Sequence, residues 1–66
     1  MGESLNPWIP GTLVRKGDLV GLVIEHCPPG PYLQEVVAIL WIGKNEPEYE
    51  FPHSLEIIDA KSGQEL

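Results

Sequence analysis

The longest apolar run in the chain is Val36-Val37-Ala38-Ile39-Leu40-Trp41-Ile42. Side chains alternate between faces along an extended backbone. Val37, Ile39 and Trp41 therefore share one side, and Val36, Ala38, Leu40 and Ile42 share the other. β-Branched and aromatic residues fill the run, which predicts a strand over 35–42. Leu19-Val20-Gly21-Leu22-Val23-Ile24 has the same character and predicts a strand over 19–26, with Gly21 marking a bulge or sharp bend. A shorter strand is expected over 12–15. Residues 48–51 alternate, with Tyr49 and Phe51 on one face and Glu48 and Glu50 on the other. A last strand is expected over 55–59, with Leu55 and Ile57 opposite Ile58.

Turn chemistry separates these runs. Lys16-Gly17-Asp18 joins the first pair. Cys27-Pro28-Pro29-Gly30-Pro31 is a stiff breaker, and Gly43-Lys44-Asn45-Glu46-Pro47 forms the next turn. Pro52-His53-Ser54 predicts a single 3₁₀ turn. No stretch sustains a helical period, and no internal repeat is present. Five short strands at close spacing predict an all-β fold. Residues 12–59 are too few to fill two complete sheets, so a small, strongly bent barrel is expected, since closure removes most edges.

Residues 1–11 read as an extended arm, with Asn6-Pro7 and Pro10-Gly11 flanking Trp8 and Ile9. A large aromatic in such an arm either folds back onto its own domain or docks on a neighbour. Residues 60–66 read as a polar tail. With 66 residues the chain is one domain with a small core.

Ten acidic residues face four basic ones, for a formal net charge of −6. The bases Arg15, Lys16, Lys44 and Lys61 are scattered, which argues against nucleic acid and anionic membrane as partners. Cys27 is the single cysteine, so no intramolecular bridge is possible. No apolar run approaches the length of a membrane span, and no basic segment precedes an apolar one at the N-terminus. Small secreted domains usually carry several bridges, so a cytoplasmic location, or a particle assembled in a cell, is expected.

His26, Cys27 and His53 are the only candidates for metal ligation or nucleophilic chemistry. Their spacing does not match a structural zinc set, and adjacent His26 and Cys27 point to opposite faces of a strand. Glu46, Glu48 and Glu50 fall on one face at period two and read as a solvated acidic surface rather than an acid/base pair. No catalytic residue, metal or cofactor is expected.

The apolar excess is more informative. A small barrel has one interior, yet residues 36–42 are apolar on both faces, and residues 19–24 nearly so. Either the arm with Trp8 and the tail cover the second face within one chain or another protein does, and the second reading is favoured here.

The segments Lys16-Gly17-Asp18-Leu19-Val20, Gly21-Leu22-Val23-Ile24-Glu25, Val37-Ala38-Ile39-Leu40-Trp41, Tyr49 to Phe51 and Pro52-His53-Ser54-Leu55-Glu56-Ile57-Ile58 resemble the SH3-like small barrel over residues 12–59. The chain is similar to the short stand-alone SH3-like proteins encoded by bacteriophages. That resemblance implies five strands with a 3₁₀ turn before the last, and a structural or accessory protein docking on a capsid, neck or tail. The aromatic run of peptide-binding SH3 domains, the clustered aromatics of a Tudor-like cage and the basic loops of KOW-type relatives are missing.

The expected function is a non-catalytic protein–protein interaction module, self-associating or part of a larger assembly. Partner contact is expected at Trp8 and Ile9 of the arm, at Val36, Leu40 and Ile42 of the second face, and at the acidic residues Glu46, Glu48 and Glu50. The alternatives are a nucleic-acid-associated regulator of KOW or Tudor-like type, and an acidic inhibitor of a host nucleic-acid-binding protein.

Overall fold

The computed structural model describes residues 7–60. The first six residues of the expected arm, and all of the expected tail after Ala60, lie outside the described residues. Five strands and one 3₁₀ turn follow in order: β1 (Leu13–Lys16), β2 (Leu19–Cys27), β3 (Val36–Trp41), β4 (Glu48–Glu50), the 3₁₀ turn (Pro52–Ser54) and β5 (Glu56–Asp59). All pairings are antiparallel, in a single sheet ordered β4-β3-β2-β1-β5. The fold is all-β. The hydrogen-bonded sheet is open, because β4 and β5 remain its two edges.

The β1–β2 hairpin follows from its turn. Lys16 pairs with Leu19, leaving Gly17-Asp18 as a two-residue loop. Gly17 takes a φ of +63°, and no other residue type has a positive φ among the described residues. Glycine at the first central position, with a negative φ after it, is the type II′ pattern, whose twist matches that of the flanking strands. The 3₁₀ turn is held by Leu55 N–H donating to Pro52 O, and by Ser54 donating to Phe51 O through both its N–H and its Oγ.

The register defines two faces. Val14, Gly21 and Trp41 lie across β1, β2 and β3, Val23 pairs with Ile39, and His26 pairs with Val37. Paired residues share a side of the sheet, so these form the inner face. Val14, Val23, Val37, Ile39 and Trp41 form the buried cluster, with Trp8 and Leu55 packed against it.

The irregularity expected at Gly21 sits further along β2. The register shifts between Val23 and Glu25, leaving Ile24 as the extra residue. Gly21 itself stays in register, and its role is close packing. A Cβ there would stand 2.7 Å from Ile39 Cγ2, 2.8 Å from Leu40 O and 2.8 Å from Trp41 Cε3. The Trp41 ring lies against bare backbone that no larger residue could supply without a shift.

Candidate protein-binding surface

The outer face follows from the same register. Leu40, Leu22 and Leu13 stand side by side across β3, β2 and β1, and the row ends at Asp59 of β5. A second row runs Tyr49–Ala38–Glu25 across β4, β3 and β2. On the other flank Val20 pairs with Arg15 and Arg15 with Glu56, while the N–H of Ile42 donates to Val20 O at 2.8 Å. Val36 opposite Cys27 closes the far end. Leu22, Ile42 and Tyr49 are exposed, Leu13, Val20, Val36 and Leu40 are half-buried, and Ala38 is buried. The second apolar face read from residues 36–42 thus lies on the outside of the sheet, only partly exposed.

The expected contact residues divide between the two faces. Val36, Leu40 and Ile42 belong to the outer strip. Trp8 does not: it is half-buried against the core cluster, the fold-back alternative for the arm. The arm is tied down beside it. Gly11 N–H donates to Val23 O, Val23 N–H to Thr12 O, Thr12 N–H to Ile9 O, and the buried Thr12 Oγ1 to Pro7 O at 3.1 Å. Ile9 is half-buried.

The acidic residues also part company. Glu46 is exposed in the β3–β4 turn. Glu50 pairs with Val37 and Glu48 with Ile39, which places both on the inner face and turns Tyr49 outward. The alternation along β4 is as read from the sequence, but its two faces are exchanged. Glu50 is engaged: its Oε1 lies 2.7 Å from Lys16 Nζ, and its side chain is only 14% exposed. Sequence pattern alone could not assign these sides, because β4 is a three-residue edge strand with one aromatic between two glutamates.

Among the described residues, ion pairing leaves free charge of one sign. Arg15 reaches Glu56 at 2.6 Å, Lys16 reaches Glu50 at 2.7 Å, and Lys44 reaches Glu48 at 4.0 Å. Every Arg and Lys among the described residues therefore has a carboxylate partner. Asp18, Glu25, Glu46 and Asp59 have no ion-pair partner among the described residues.

The residues weighed for chemistry are placed apart. His26 Nε2 lies 2.7 Å from Glu35 Oε2 at the base of the proline-rich loop. Cys27 is half-buried opposite Val36, and the His53 ring stacks on Phe51 at 5.8 Å between centroids. No group of three or more potential metal ligands occurs among the described residues. An open depression of about 330 Å³ is lined by Gln34, Glu35, Phe51, Pro52 and His53. Sequence reasoning missed Leu13, Leu22 and Tyr49 as members of the outer strip. The first two were legible, since both alternate with the buried Val14 and Val23.

No protein family, curated protein or solved structure matches this chain. No helix among the described residues is long and apolar enough to cross a membrane.

Proposed function

We propose that the chain is a non-catalytic protein–protein interaction module built on an SH3-like barrel, a small phage structural or accessory protein that docks on a larger assembly. One observation carries the interaction reading. The inner face has its own core, and Leu22, Ile42 and Tyr49 remain exposed on the outer face around half-buried Leu40 and buried Ala38. Monomeric domains rarely leave such strips uncovered. The barrel reading is supported by the strand order with a 3₁₀ turn between β4 and β5. It is also supported by the Lys16–Glu50 contact, which draws β1 and β4 together across the inner face. The link to a phage assembly rests on the resemblance of residues 12–59 alone.

The test is site-specific photo-crosslinking in the producing cell. A photoreactive side chain replaces Ile42 on the strip, or Asp18 in the β1–β2 turn as control. A discrete crosslinked protein at position 42, absent at position 18, is expected. Folded protein that crosslinks at neither position overturns the reading.

A further inference from the structure

We infer that the occupant of the outer strip is a polypeptide carrying an apolar stripe flanked by Lys or Arg, and not a second copy of this chain. The inference rests on the interaction reading above and adds the chemistry of the partner. The Leu40–Leu22–Leu13 row ends at the carboxylate of Asp59, and the adjoining Tyr49–Ala38 row ends at that of Glu25. Neither carboxylate has an ion-pair partner among the described residues. The third flank carries Arg15, but its guanidinium is held by Glu56 at 2.6 Å. Among the described residues the strip is thus bordered by free negative charge and offers no unengaged cation.

That arrangement decides between occupants. Two copies packed strip to strip could bury the leucines, but among the described residues every Arg and Lys is already paired, so none is left free to meet Glu25 or Asp59. Like charges would be brought together at the rim, on a chain whose net charge is −6. A partner with basic residues beside an apolar stripe buries the same area and answers both carboxylates. Rim charges of this kind set partner sign and encounter rate more than the total affinity.

Short amphipathic helical peptides with an identical leucine face, and Lys, Gln or Glu at every polar position, serve as probes. Binding is read by calorimetry at low and high salt, with light scattering on the protein alone. The Lys peptide is expected to bind about tenfold more tightly than the Gln peptide at low salt, with the gap closing at high salt. Leu22→Thr and Leu40→Thr are expected to weaken both peptides. Glu25→Gln with Asp59→Asn is expected to erase the preference for Lys, whereas Glu46→Gln is expected to leave it intact. Equal binding of the Lys and Gln peptides, with both still sensitive to Leu22→Thr, overturns the partner chemistry and leaves the interaction reading standing. Binding of the Lys peptide that ignores Leu22→Thr and Leu40→Thr overturns both. A dimer that Leu22→Thr dissociates overturns the exclusion of a second copy.

Discussion

Lys16 and Glu50 meet at 2.7 Å although two strands separate β1 from β4 in the sheet. In a flat sheet, three inter-strand intervals would set their backbones about 14 Å apart. Their side chains would also stand roughly perpendicular to the sheet rather than reach along it. Both residues lie on the inner face, so the contact records how far the sheet curls around Trp41 and its neighbours. The β2 irregularity at Ile24 contributes, since a bulge bends its strand and increases local twist.

The pair is therefore expected to matter more than its surface position suggests. Glu50 is largely shielded, whereas both members of the Arg15–Glu56 pair are well exposed. A double-mutant cycle with Lys16→Met and Glu50→Gln is expected to give a coupling of about 1 kcal/mol, against about 0.3 kcal/mol for Arg15 and Glu56. Urea denaturation of the four variants of each cycle measures it. Equal couplings would mean that the curl is set by the core and that the ion pair merely accompanies it.

Gly21→Ala tests the close approach of Trp41. The added methyl would crowd a side chain on either flank, and also the Leu40 carbonyl oxygen, which is backbone and cannot swing aside. A loss of about 1–3 kcal/mol is expected. Trp41→Leu in the same chain removes one of the three clashes, so the double variant should be less destabilised than the sum of its parts. Simple additivity in denaturation midpoints would show that the Leu40 carbonyl and Ile39 bear the whole conflict.

Trp8→Ala is expected to lower stability by about 2–3 kcal/mol, because the ring packs against the core cluster and is half-buried there. Crosslinking from position 42 should persist at temperatures where the variant is still folded. A variant as stable as the parent would place the Trp8 contact outside the folding free energy and return the arm to the list of partner contacts.

These outcomes bear on what the sequence could and could not convey. The strands were legible because each apolar run is bounded by Gly or Pro, and Gly17-Asp18 and Pro52-His53-Ser54 encode their turns locally. Gly21 was legible as special, but not as a packing partner, because its reason lies in Trp41, twenty residues on. The two sides of β4 were not legible: Glu48-Tyr49-Glu50 reads equally well in either orientation, and only the register against Val37 and Ile39 chooses. Trp8 offered two sites of burial, and the choice depended on the Gly11–Val23 hydrogen bond that anchors the arm beside the core. Within the site, Val36, Leu40 and Ile42 followed from alternation. The free charge at Glu25 and Asp59 did not, since it depends on which carboxylates Arg15, Lys16 and Lys44 already hold.

Trp41 carries an unpaired polar atom in the middle of the core. Its Nε1 is buried and has no hydrogen-bond partner among the described residues, while the residue itself is 1% exposed. An unpaired buried donor costs about 1–3 kcal/mol, so the site keeps indole for its shape rather than for its N–H. Trp41→Ala removes the shape and is expected to cost about 3–5 kcal/mol. Trp41→Phe removes part of the ring together with the orphan donor, and these effects oppose each other. Its net cost should fall below about 1.5 kcal/mol, measured by urea denaturation alongside the alanine variant. A phenylalanine variant as unstable as the alanine one would mean that the full indole outline against Gly21, and not core volume alone, holds the sheet in its curl.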